Sequence, residues 1–70
     1  MVRIAVLGCG RIGRMHAANI ANHPTAELAT IYDNQTAAAK DIAEKLNASV
    51  ADSAKAIFID PSIDAVLIAT

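Results

Sequence analysis

The sequence predicts an α/β domain, a parallel sheet with helices on its faces. Three observations predict it. Short apolar, β-branched runs alternate with stretches of helical periodicity along the 70 residues. All three glycines, Gly8, Gly10 and Gly13, fall at the junction between the first run and the first helical stretch. Hydrophobic residues make up 54% of the chain and aromatics only 3%, with alanine at 16 positions. Side chains that small let helices lie close on a sheet, and hydrophobicity that high excludes disorder.

Each element has its own justification. Val2 to Leu7 is an apolar run stopped by glycine and reads as a buried parallel strand. Arg11 to Asn22 places apolar residues at Ile12, Ala17, Ile20 and Ala21, a helical rhythm. His23-Pro24 ends it, because proline pushes the preceding residue out of the α region. Leu28 to Tyr32 is the second strand, closed by Asp33. Thr36 to Leu46 is the second helix. Ala38, Ala39, Ile42, Ala43 and Leu46 form its inner face, and Lys40, Asp41, Glu44 and Lys45 a solvated outer one. Asn34 is its expected N-cap. Ala48 to Val50 reads as a short strand, Ser53 to Ile59 as a short helix, and Asp60-Pro61-Ser62 as a turn. Asp64 to Thr70 opens as a last buried strand. Right-handed crossovers between such elements give strand order 3-2-1-4, with the topological switch between the first and fourth strands.

Bulk properties narrow the function. The formal charge is -1, so there is no basic footprint for nucleic acid and no acidic tail. No segment approaches the ~20 apolar residues of a membrane span. Val6-Leu7-Gly8-Cys9 has the look of a lipoprotein cleavage box, but the apolar stretch before it is too short for a signal sequence. A single cysteine allows no internal disulfide, and a reducing, cytoplasmic setting is expected. A domain this short buries only about 60% of its unfolded surface. The chain of residues 1–70 is therefore expected to be a piece of a longer protein.

Gly8-Cys9-Gly10-Arg11-Ile12-Gly13 matches G-x-G-x-x-G, placed after a strand and at the start of a helix. In that position each glycine has a mechanical role. Gly8 permits the tight turn out of the strand, Gly10 lets a pyrophosphate approach the backbone, and Gly13 lets the helix lie against the sheet. The free N–H groups around Arg11 and Ile12 then face the phosphates with the positive end of the helix dipole. Asp33 stands twenty residues past Gly13 at the end of the second strand, where a carboxylate accepts hydrogen bonds from ribose hydroxyls. These features predict a partial Rossmann fold that binds a dinucleotide. Asp33 also favours NAD over NADP. A 2′-phosphate beside it costs about 1 kcal/mol per like-charge contact in water and about 4 at an effective dielectric of 20. Asn34, Gln35 and Thr36 offer no cation in compensation, and Lys40 is more than a turn further on.

Several residues have plainer readings. Cys9 is expected as a small apolar filler, His16 as a packing or capping residue, and His23 as exposed. Asp33 could be a turn or capping residue, and Arg11 could point into water. Asp52, Asp60 and Asp64 read as turn and strand-start residues, with no acid–base pair among them. Ala69 and Thr70 end the last strand at the ligand edge, where a cofactor contact is expected.

The segments "GCGRIGRMHAANI", "HPTAELATIYD", "AKDIAEKL" and "DPSIDAVLIAT" resemble the amino-terminal domain of the glucose–fructose oxidoreductase/inositol dehydrogenase family. Within it, the likeness is greatest to the bacterial inositol dehydrogenases, and it covers essentially all 70 residues. The resemblance implies a two-domain oxidoreductase, often a homotetramer. It implies hydride transfer between a nicotinamide cofactor and a secondary alcohol of a polyol or sugar, with myo-inositol favoured. It carries over Gly8, Gly10, Arg11, Ile12, Asp33, Asn34, Ala69 and Thr70 as cofactor contacts. The family's catalytic lysine lies in an E-K-P motif that does not occur here, so these 70 residues alone are expected to be inactive. Two other readings of the glycine loop stay open on residues alone: a non-catalytic nucleotide-sensing module, and an S-adenosylmethionine site.

Overall fold

The computed structural model describes residues 1–69. Its elements alternate along the chain as β1 (Val2–Leu7), α1 (Arg11–Ala21), β2 (Ala26–Tyr32), α2 (Thr36–Leu46), β3 (Ser49–Val50), α3 (Ala54–Phe58) and β4 (Ala65–Ile68). All pairings are parallel, and the sheet order is β3-β2-β1-β4, as the crossover rule predicts. The Thr70 end of the fourth predicted strand lies outside the described residues.

β1 and β2 are the two interior strands. Ala5 and Val6 are fully buried, and one of them faces each side of the sheet. Val6 packs with Ala17 of α1, Leu28 and Ile31 of β2, and Ala39, Ile42 and Ala43 of α2. Ala5 and Leu7 pack with Ile57 of α3 on the opposite face. The face under α1 and α2 is thus built largely from alanine and branched aliphatics, and the alanines allow close approach.

The structure departs from the sequence reading at element ends. β2 begins at Ala26 instead of Leu28. Its first residues pair in register with β1, Val2 with Ala26 and Arg3 with Glu27, and the Arg3 guanidinium bonds the Glu27 carboxylate. A register shift at Ile4/Ala5 lets β2 carry one extra residue. On α1 the buried residues are Gly13 and Ala17. Ile12 is exposed instead of facing the core, since five residues before Ala17 is roughly 140° around a helix with 3.6 residues per turn. Ala21 is also exposed.

Asn34 is not the cap of α2. The N-cap is Gln35, which makes no side-chain cap bond. Instead Asp33 Oδ1 accepts from the Gln35 N–H at 2.8 Å, so the carboxylate two residues upstream orders the entry to the helix. α2 ends at Asn47 in the left-handed region, φ 58°, a position asparagine tolerates better than most residues. Ser53 caps α3, its hydroxyl accepting from the Ala56 N–H. β4 pairs with β1 alone among the described residues, and Ile68 on it is exposed.

Candidate functional site

Parallel order sends the carboxyl ends of all four strands to one edge, and each helix starts there. At that edge a cleft of about 580 Å³ is lined by Leu7, Gly8, Gly10, Tyr32, Asp33, Asn34, Ala54 and Ala69. It lies at the topological switch between β1 and β4, where ligands of doubly wound sheets bind. Five predicted contacts, Gly8, Gly10, Asp33, Asn34 and Ala69, come together in it. Arg11 and Ile12 open α1 but do not line the cleft, and both side chains are exposed. Thr70 lies outside the described residues. The lining by Leu7, Tyr32 and Ala54 was not predicted. The alternation of elements could have signalled Ala54, since every helix of such a fold starts at the carboxyl edge.

The glycine loop has the mechanics the motif requires. Gly8 adopts φ 104°, a conformation that strains any residue with a Cβ. A Cβ on Gly13 would stand 1.8 Å from the Gly8 carbonyl oxygen, so α1 can rest on the β1 turn only with hydrogen there. Gly10 is different: a Cβ there meets nothing within 4 Å. The fold itself does not require glycine at this position, whereas a ligand lying on the backbone does. The head of α1 has no side-chain cap and no acidic residue in its first turn. Its first-turn amides are therefore available to an anion.

Asp33 holds this arrangement from the β2 side. Its Oδ2 accepts from the Cys9 N–H at 2.6 Å and its Oδ1 from the Gln35 N–H. These two bonds, that from Cys9 foremost, lower its pKa below the ordinary carboxylate value. Each oxygen keeps a lone pair, so the turn role leaves the carboxylate able to accept from a further donor. The Cys9 side chain is buried in the core under α1. Burial, then the Asp33 charge, raises its pKa, with Arg14 opposing, which disfavours the thiolate at a position that packs as core.

A second, shallower cleft adjoins the first, lined by Tyr32, Asp33, Thr36, Lys40, Val50, Ala51 and Asp52. Lys40 thus reaches the neighbourhood of Asp33, which its distance along the sequence did not suggest. Asp52 on the same cleft opposes its charge. His16 and His23 lie far from both clefts, in an apolar groove with Val2, Ile4 and Ala26 at the amino ends of β1 and β2. His23 is exposed, as expected, and His16 is half-buried in mid-helix, a packing position and not a cap. Among the described residues no group of three or more His, Cys, Asp or Glu could hold a metal.

These features define a dinucleotide-binding domain of the Rossmann class. The chain belongs to the GFO/IDH/MocA oxidoreductase family with an NAD-binding Rossmann fold, which matches residues 2–70. No curated protein matches it. Among solved structures it is similar to a protein of Sinorhizobium meliloti 1021 provisionally assigned as a myo-inositol dehydrogenase, with 38% identity and TM-score 0.96. That match covers 100% of this chain and 21% of the other. A myo-inositol dehydrogenase of Corynebacterium glutamicum shares 40% identity at TM-score 0.91, covering 100% of this chain and 21% of the other. The myo-inositol dehydrogenase of Lactobacillus casei, solved with NAD(H) and myo-inositol, shares 30% at TM-score 0.93, covering 100% and 22%. The chain thus spans about a fifth of the length of the structures it matches.

The mechanics of Gly10 give a direct test of the cleft. Gly10→Ala is expected to cost less than about 1 kcal/mol of stability, the scale of an N-cap change. NAD affinity should fall at least about tenfold, since the added methyl occupies the surface a ligand must approach. Urea denaturation and calorimetric titration of the same variant separate the two effects. A variant that binds NAD as wild type does would remove Gly10 from the site.

Proposed function

We propose that these 70 residues are the NAD-binding, amino-terminal part of a dehydrogenase acting on a secondary alcohol of a polyol or sugar, with myo-inositol as substrate. The observation that carries the reading is the cleft. It gathers Gly8, Gly10, Asp33, Asn34 and Ala69 over an uncapped helix head, in a chain of this family. Gly10 and the α1 amides would receive the pyrophosphate, Asp33 the adenosine ribose, and Asn34 and Ala69 the flanking surface. Arg11, Ile12 and Thr70 would complete the contacts from the helix head and the end of the last strand. Bound NAD supplies a hydride acceptor for the carbinol carbon. The base that takes the hydroxyl proton belongs to residues outside these 70, because no E-K-P occurs among them.

The similarity to inositol dehydrogenases supports the substrate, and the substrate domain would follow in the whole protein. The family resemblance supports a homotetramer. No helix among the described residues is long and apolar enough to cross a membrane. The free, buried Cys9 fits a reducing, cytoplasmic setting.

Titration of NAD and S-adenosylmethionine, followed by an absorbance assay of NADH with myo-inositol, tests the reading. The whole protein is expected to bind NAD selectively and to oxidise myo-inositol, and residues 1–70 alone to show no turnover. A whole protein that binds NAD without oxidising any polyol would instead support a sensing module.

A further inference from the structure

The second residue of the glycine loop is held on both of its peptide groups. On one side, the Cys9 N–H donates to Asp33 Oδ2. The carbonyl of that same peptide, Gly8 C=O, abuts Gly13 on α1. On the other side, Arg14 Nε donates to the Cys9 carbonyl at 3.1 Å. The Arg14 guanidinium also donates through Nη1 to Asp41 Oδ2 on α2 at 2.9 Å, and Lys45 Nζ stands 3.4 Å from the same oxygen. The Arg14–Cys9 bond is partly buried, whereas the Arg14–Asp41 pair is exposed.

A peptide group is planar and trans, so its N–H points opposite to its carbonyl. The Cys9 carbonyl and the Gly10 N–H share one such group. Gripping the carbonyl therefore aims the Gly10 amide. We infer that Arg14 is a positioning residue of the phosphate loop, fixing the Cys9–Gly10 peptide, with Asp41 anchoring it to α2. Arginine suits the task because one planar fork reaches the carbonyl and the carboxylate together, which a lysine ammonium does not reproduce. The loop's geometry thus depends on the packing of α1 against α2, well outside the G-x-G-x-x-G pattern.

The inference rests on the dinucleotide reading for its consequence on binding, but not for its consequence on the loop. Cys9 reports the loop directly, by iodoacetamide alkylation of the whole protein mapped to this residue by mass spectrometry. The Arg14 charge favours the thiolate, so losing that charge alone would slow alkylation. Acceleration therefore reads exposure and not electrostatics. Arg14→Gln is expected to speed Cys9 alkylation about tenfold and weaken NAD about tenfold, the scale of one lost hydrogen bond from a charged group. Circular dichroism should stay native. Arg14→Lys should resemble Arg14→Gln. Asp41→Asn, at an exposed pair and safe for folding, should move both readouts about two- to threefold.

Alkylation within twofold of wild type in a folded Arg14→Gln protein overturns the inference, as does full restoration by lysine. A wild-type protein that binds no NAD, while Arg14→Gln still releases Cys9, supports the loop assignment and strikes the dinucleotide reading instead.

Discussion

Replacing Gly13 with alanine is expected to destabilise the domain by about 3 kcal/mol or more, the upper range for forcing a methyl into a packed interior. The added Cβ would lie 1.8 Å from the Gly8 carbonyl oxygen and 2.7 Å from its carbon. Both are backbone atoms, so no rotamer change relieves the overlap. Either α1 lifts from the end of β1 or the turn at Gly8 unwinds. Lifting α1 draws Ala17 out of contact with Val6 and Ile31, and tilts the helix head away from the cleft. Alanine's better helix propensity, about 1 kcal/mol over glycine, offsets only part of this. Total stability at about 0.05–0.15 kcal/mol per residue leaves a domain this small little reserve. Urea denaturation should show a lowered midpoint, and NAD affinity should fall with it. Gly10→Ala provides the contrast, losing affinity while keeping stability. A Gly13→Ala protein with an unchanged midpoint would mean that the helix does not rest on the turn.

The contrast between these two glycines was legible in the sequence, because G-x-G-x-x-G after a strand assigns each glycine a different task. The sheet order was legible too, since alternating elements and right-handed crossovers leave few arrangements. The bounds of α2 followed from apolar periodicity alone. What escaped was set by contacts between distant residues. Ala26 and Glu27 do not read as strand, yet pairing with Val2 and Arg3 extends β2 over them. Asn34 looks like a cap, but Asp33 supplies the acceptor that orders the helix entry. Nothing in the spacing of Arg14 on α1 shows that it turns back to Cys9 and across to Asp41. Hydrophobic pattern and glycine placement specify the frame. The polar bonds that aim the site depend on side-chain reach, which carries no period.

Asp33 is the part of that hidden wiring expected to act on cofactor preference as well as on affinity. Asp33→Asn is expected to weaken NAD about tenfold and to shift the preference between NAD and NADP by tenfold or more toward NADP. Two causes combine. An asparagine side chain has one acceptor oxygen, so it can hold either the Cys9 or the Gln35 amide in the present geometry, not both. It also lacks the negative charge that repels a 2′-phosphate, a contact worth about 1 kcal/mol in water and more at a partly buried site. Lys40 lines the adjoining cleft and becomes a cation without Asp33 to oppose it, although Asp52 remains. Asp33→Asn combined with Lys40→Ala should lose much of the gained NADP affinity.

The pH profile tests the carboxylate without a substitution, because protonation removes its charge and one of its acceptors together. Hydrogen bonds from Cys9 and Gln35 hold the Asp33 pKa below its ordinary value. A depressed carboxylate stabilises the folded loop above the unfolded pKa, about 3.9, and loses that contribution as pH falls through the folded value. Asp33 therefore stays charged from neutrality down to about pH 5, and its effect on NAD affinity should be flat across that range. Affinity of the wild-type protein should fall through Asp33 only once the pH drops below the ordinary carboxylate value, toward the lowered folded one, while Asp33→Asn lacks that component. Calorimetric titrations of NAD and NADP against both proteins decide the matter. An Asp33→Asn protein with unaltered cofactor preference would leave the carboxylate a turn residue and nothing more, and discrimination would have to come from elsewhere on the cleft.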